Sequence, residues 1–76
     1  MIQVLERAFK ILEYISEEPE KPHSLSKIAK LIDVSPSTCY HIIETLTSNN
    51  YVEQIAPKKG YKLGITPYFL TRNGPY

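Results

Sequence analysis

The sequence predicts a mainly α-helical domain with a small β-hairpin, the winged helix-turn-helix, in which a three-helix core carries a two-stranded wing. Two short segments with apolar residues at helical spacing, between residues 24 and 46, are separated by only a few residues. A longer helical segment precedes them, and two strand-like segments around a loop of turn-forming residues follow them. Seventy-six residues suffice for one domain with a thin core.

The first helix is expected to end before Pro19, because the residue that precedes a proline disfavours the helical conformation. Its main apolar stripe consists of Val4, Leu5, Ala8, Ile11, Leu12 and Ile15. Ile2 and Phe9 lie to one side of this stripe and widen the apolar face. They add either to the core or, together with Leu5, to a contact between two subunits.

Ser24 is predicted to cap the second helix, and Asp33 to form the corner that follows it. Such a corner needs a residue with positive φ, which aspartate tolerates. Lys27 and Lys30 face away from the apolar positions of this helix. Those positions are Leu25, Ile28, Ala29 and Ile32.

The third helix is predicted to begin at Pro36, behind a Ser35 cap, and to end at Asn49 and Asn50. Its buried stripe should be Cys39, Ile42, Ile43 and Leu46. Strands over 51–55 and 61–63 should form the wing, and a last short helix should begin at Pro67.

The outer face of the third helix and the wing carry the side chains expected to contact DNA, since a duplex requires cations and short polar groups. The first candidates are Ser37, Thr38, Tyr40, His41, Thr45, Lys58 and Lys59. Second-rank candidates are Lys27, Lys30, Pro36, Tyr61 and Lys62. Each candidate also has an alternative role without DNA contact: helix capping for Ser37 and Thr38, cover for the core edge for Tyr40, an ordinary solvent-facing histidine for His41, and a solvated turn for Lys58 and Lys59. Glu44 is interpreted as a helix-surface charge and not as a base reader, because it would repel phosphate unless it met a cytosine amino group.

The composition excludes several other classes of protein. Hydrophobic residues at 42% and charged residues at 22% exclude wholesale disorder. A single cysteine excludes an internal disulfide, and neither a signal peptide nor a membrane-spanning run is present. We therefore expect a cytoplasmic protein. Net charge is +1, but the acidic side chains concentrate in the first twenty residues, which favours a basic face on the later elements.

No constellation of residues supports catalysis or metal binding. His23, Cys39 and His41 are the only strong zinc ligands, and paired cysteines are absent. The three glycines do not form a phosphate loop. No enzyme activity, metal or cofactor is predicted, and Cys39 is expected to be a small buried hydrophobic residue.

Five ordered blocks resemble the IclR-type bacterial transcription regulators, over about residues 4–64. The blocks are RAFKILE at 7–13, SLSKIA at 24–29, STCYHIIETL at 37–46, YVE at 51–53 and YKLG at 61–64. The resemblance implies a winged helix-turn-helix domain over 1–64 that forms a homodimer through its first helix and binds a pseudo-palindromic operator. Residues 65–76 would be a C-terminal extension or the start of a linker helix.

The chain departs from the family pattern at several positions. His41 stands where the family usually has arginine, which weakens or removes a charge-assisted contact. Asp33 and Asn50 stand where it favours glycine, and Lys27 where it usually has glutamate. Family members continue into an effector-binding domain, so the chain is either a fragment or a small stand-alone regulator. A small-molecule effector is expected only if a further domain exists.

The sequence thus predicts sequence-specific binding of double-stranded DNA by a dimeric transcription regulator, with the third helix in the major groove and the wing on the backbone. The alternative is a winged helix that binds another protein and not DNA, an alternative favoured by the low net charge and by histidine at position 41.

Overall fold

A computed structural model describes residues 2–56 and 59–74, and within them four helices and one two-stranded sheet. The elements are α1 (Gln3–Glu17), α2 (Leu25–Ile32), α3 (Pro36–Ser48), β1 (Val52–Gln54), β2 (Tyr61–Leu63) and α4 (Thr66–Thr71). The strands are antiparallel, with Glu53 opposite Lys62. This order confirms the predicted winged helix-turn-helix. In the described part of the chain, no helix is long and apolar enough to cross a membrane.

The core lies where the first three helices meet the hairpin. The predicted stripes of α2 and α3 supply most of it, and the wing adds Val52 and Tyr61. The largest fully buried side chains are Ile11, Ile15, Ile28, Ile43, Val52 and Cys39. Because the side chains of α2 and α3 interlock here, the angle between the two helices is set by apolar packing.

The fully buried residues of α1 lie in its second half, and Ala8 of the first half packs against the edge of the core. These fully buried residues are Ile11 and Ile15. Four apolar residues at the N-cap and in the first half of α1 are exposed by half or more: Ile2, Val4, Leu5 and Phe9. The apolar stripe predicted for α1 is therefore buried only in part: Val4 and Leu5 at its start are exposed, because no described element covers the first turns of α1. Ile2 and Phe9 do not enlarge the core either.

The predicted cap and corner of the helix-turn-helix are confirmed. The Ser24 Oγ accepts a hydrogen bond from the Lys27 N–H at 3.2 Å. Asp33 has φ 57°, and its N–H donates to the Lys30 carbonyl while the chain turns toward α3. Asn50, with φ 65°, takes the same left-handed conformation after α3.

His23 ties the loop after α1 to the wing, a contact that the sequence did not predict. Its backbone N–H donates to the Tyr61 carbonyl at 2.9 Å, and the Tyr61 N–H donates to the His23 carbonyl at 2.8 Å. Its ring is buried, lies edge-on to Tyr14 at 5.0 Å, and has Nε2 3.0 Å from the Glu18 carbonyl oxygen. His23 therefore has a structural role.

Gly60 allows this close approach of loop and wing. Its φ is +108°, which L side chains rarely adopt, and a Cβ there would lie 2.8 Å from the His23 carbonyl oxygen. Any side chain at this position would push β2 away from His23.

We predict that Gly60→Ala lowers the free energy of unfolding by about 1–3 kcal/mol, the usual cost of strained backbone. Urea denaturation followed by circular dichroism measures this loss. Ala56→Gly is the matched control, because Ala56 already has φ 47° and glycine adopts that conformation freely. It should leave stability unchanged or raise it slightly, because relief of the left-handed strain offsets the greater entropy of glycine in the unfolded chain. Equal effects of the two substitutions would contradict the steric argument.

Candidate nucleic-acid interface

The first turn of α3 is built as a capped, exposed helix end. Ser35 Oγ accepts a hydrogen bond from the Thr38 N–H at 3.2 Å, and Pro36 occupies the first turn, where its missing N–H costs no hydrogen bond. Ser35 Oγ also lies 3.1 Å from Thr38 Oγ1, to which it donates. Ser37 and Thr38 are exposed beside this cap.

The apolar packing of α3 determines which of its residues face solvent. Cys39, Ile42 and Ile43 are buried against the other elements. A helix turns by about 100° per residue, so residues spaced by three, four or seven positions share a face. The face opposite the buried one carries a row of exposed polar residues, which we call the outer ridge: Ser37, His41, Glu44 and Ser48.

Two further candidates flank the outer ridge on opposite sides. Tyr40 is 46% exposed and lines a shallow groove toward the wing, together with Gln54. Thr45 is exposed on the other side, in a shallow apolar groove shared with the first turns of α1. Thr45 Oγ1 donates to the His41 carbonyl at 3.3 Å, which leaves its lone pairs available to a further donor.

His41 and Glu44 are neighbours on the outer ridge. The His41 Nδ1 and Glu44 Oε1 atoms are 3.9 Å apart, and both side chains are mostly exposed. The His41 ring also lies edge-on to Tyr40, with centroids 6.0 Å apart. An exposed pair of this kind contributes little to stability, so both side chains can be redirected toward a ligand.

The candidate cations lie around α3 and not on it. Lys27 and Lys30 are exposed on α2, and Lys59 is exposed in the wing loop. Lys62 on β2 is half-buried. Lys58, the other predicted wing-tip contact, lies outside the described residues. The positive charge available to a ligand therefore comes from α2 and the wing.

Tyr61 is a core residue, contrary to its predicted place on the wing surface. Only 7% of it is exposed, because its backbone pairs with His23 and its ring packs in the core. Burial raises the pKa of the Tyr61 hydroxyl, with smaller contributions from Tyr40 and Cys39. Burial likewise raises the pKa of the Cys39 thiol, in keeping with a packing role.

Gln54 is a polar candidate that the sequence did not indicate. It is exposed at the end of β1 and lines the groove between α3 and the wing with Tyr40, Glu44 and Ser48. The strand is too short for a clear alternation of inward and outward residues, so its pattern held no signal for this position. Among the described residues, no three histidine, cysteine or acidic side chains are arranged to hold a metal ion.

Comparison with known proteins matches this sequence to a protein family. The family model of the IclR helix-turn-helix domain matches residues 4–56. The HTH-type transcriptional regulator XynR of Escherichia coli (strain K12) is 32% identical over 65 residues, which cover 86% of this chain and 25% of that protein. The chain thus spans about a quarter of the length of this curated relative.

Two crystal structures share the fold. HmgR of Pseudomonas aeruginosa superimposes with a TM-score of 0.76 at 22% identity, over 91% of this chain and 29% of that one. A structure from Silicibacter sp. TM1040, assigned by its description to the ICLR transcriptional regulators, gives a TM-score of 0.70 at 23% identity. That match covers 90% of this chain and 26% of the other.

We predict that Ser35 and Ser37, two positions apart at the start of α3, have separate roles. Ser35→Ala should lower the free energy of unfolding by about 1 kcal/mol, because the Thr38 N–H loses its acceptor. Ser37→Ala is the matched control and should leave stability within about 0.5 kcal/mol of the parent. Urea denaturation of the two variants measures this difference, and equal losses would contradict the assignment of the cap to Ser35.

Proposed function

Because the chain belongs to the family of IclR helix-turn-helix domains, we propose that it is a sequence-specific double-stranded DNA-binding domain of a transcription regulator. The observation that carries this proposal is the geometry of α3. One face is locked into the core, and the opposite face presents short polar side chains behind a capped N-terminus.

In the proposed complex, α3 lies in the major groove, which is wide enough to admit a helix. The outer ridge then faces the base edges, and Tyr40 and Thr45 face the two walls of the groove. The exposed hydroxyls of Ser37 and Thr38 are close to the helix N-terminus, where backbone N–H groups favour a phosphate.

The wing and α2 are proposed to bind the sugar–phosphate backbone on either side of α3. Lys59 is the exposed wing cation, and Lys27 and Lys30 are those of α2. The proposal extends to Lys58 on sequence grounds alone, whereas Tyr61 is left out because it is buried. Contacts of this kind supply affinity without regard to base sequence.

The domain is proposed to act as a homodimer. The exposed apolar side chains Ile2, Leu5 and Phe9 lie near one another along the start of α1, where their contact with water is unfavourable. Two subunits joined there would bind half-sites about 34 Å apart, one turn of the duplex. Residues 1–64 would be the binding unit, and α4 the start of a linker. Binding of an effector is proposed only for a longer protein with a further domain.

We predict that binding to a labelled generic duplex, measured by fluorescence anisotropy, weakens with salt at a log–log slope of roughly −3 to −5 for each bound subunit, which corresponds to three to five phosphate contacts per subunit. Lys59→Gln should reduce the magnitude of this slope by about 1 for each bound subunit. Lys10→Gln on α1 removes the same charge from an element with no proposed contact, and it should leave the slope unchanged.

The result that would contradict the proposal is a folded parent that binds no duplex at low salt. Stoichiometric binding of another protein by such a sample would then support the alternative of a protein-binding winged helix. If Lys59→Gln and Lys10→Gln reduced the slope equally, the proposed role of the wing would be contradicted, but the proposal of DNA binding would stand.

We predict that Phe9→Gln shifts the protein from dimer to monomer in sedimentation velocity, because it places an amide in the proposed apolar contact. Leu31→Gln is the matched control, since Leu31 is 46% exposed on α2 and outside that contact. It should sediment as the parent does. A parent that remains monomeric at all concentrations, or a Phe9→Gln variant that remains dimeric, would overturn the proposed dimer contact.

A further inference from the structure

The helix proposed to enter the DNA groove carries a negative charge. The segment Pro36–Ser48 contains neither lysine nor arginine, and Glu44 is its only formally charged residue at neutral pH. A carboxylate close to phosphates lowers affinity by repulsion. General attraction between cations and the polyanionic duplex therefore does not explain why Glu44 lies on this helix.

The position of Glu44 keeps it within the proposed interface. It lies on the outer ridge, seven residues after Ser37, which is two turns of helix and places both on the same face. Its side chain is 61% exposed. Within the described residues, the only ion-pairing partner of Glu44 is His41, at 3.9 Å.

The chemistry of a carboxylate restricts what Glu44 could accept in a major groove. An ionised carboxylate offers only acceptors, so it needs a donor on the base edge. Guanine offers two acceptors and thymine offers an acceptor and a methyl group, so both leave the carboxylate desolvated and unpaired. Adenine presents its N6 amino donor next to the N7 acceptor. That acceptor would face the second carboxylate oxygen and repel it. Cytosine presents its N4 amino group as a donor.

We infer that Glu44 is a specificity-determining residue that selects a cytosine in each half-site. This inference rests on the proposed function, since it requires α3 in the major groove. The carboxylate accepts from the cytosine N4 amino group and penalises the other bases through repulsion and lost hydration. His41 stands one turn away, and its exposed pairing with Glu44 is weak enough to let the carboxylate turn toward a base. Affinity then comes from the lysines of α2 and the wing, and discrimination comes from α3.

The test is selection of bound duplexes from a pool with a randomised central region, carried out with the parent, Glu44→Gln and Glu53→Gln. Glu53→Gln is the matched control, because it removes an equal charge from an exposed position on the wing strand. The parent should yield a motif with a conserved cytosine in each half-site. Glu44→Gln should replace cytosine by adenine at that position, since a glutamine amide pairs with adenine. Glu53→Gln should keep the parent motif.

Anisotropy titrations on duplexes that differ at this single base pair give the size of the effect. The parent should prefer the cytosine duplex by about 5- to 150-fold, the range for one base contact, and Glu44→Gln should lose that preference. An unchanged motif with Glu44→Gln, from a parent that does select a sequence, would overturn this inference and leave the proposed function intact. A folded parent that binds no duplex would overturn both.

Discussion

Burial of one face of α3 is the constraint on which the rest of the interface depends. Cys39, Ile42 and Ile43 are locked against α2 and the wing, and exposing a buried isoleucine costs roughly 1.5–3 kcal/mol. Rotation of α3 about its axis is therefore too costly to occur. The polar face is held outward as a consequence of packing, and the left-handed corner at Asp33 sets where the helix begins.

Local signals were enough to predict the helices, the corner and the hairpin. Ser24, Ser35 and Asp33 act through bonds and dihedral angles within a few residues of themselves, and such effects are visible in the sequence. The contact between His23 and Tyr61 joins segments almost forty residues apart, so no local pattern could indicate it. For that reason Tyr61 was predicted on the wing surface, and no contact between His23 and the wing was predicted.

The candidate site likewise contains residues that the local sequence pattern indicates and one residue, Gln54, that it does not. Helical periodicity was sufficient to identify the exposed face of α3, including Ser37 and His41, because one buried stripe defines the opposite side. Gln54 was missed because its place beside Tyr40 depends on how the wing folds back toward α3. The exposed lysines of the candidate site lie on α2 and in the wing loop, while Glu44 lies on the outer ridge of α3. In the proposed complex this distribution would separate general affinity from discrimination among bases.

The most direct test of the central claim, that the outer face of α3 and the wing form the DNA-binding surface, is a titration of the ¹⁵N-labelled protein with a short duplex at low salt, followed by two-dimensional NMR. The account predicts that the largest amide shifts fall in α3 and in residues 59–62, while the buried second half of α1 around Ile15 stays unchanged. Shifts concentrated on α1 or α4, with the amides of α3 unaffected, would contradict it.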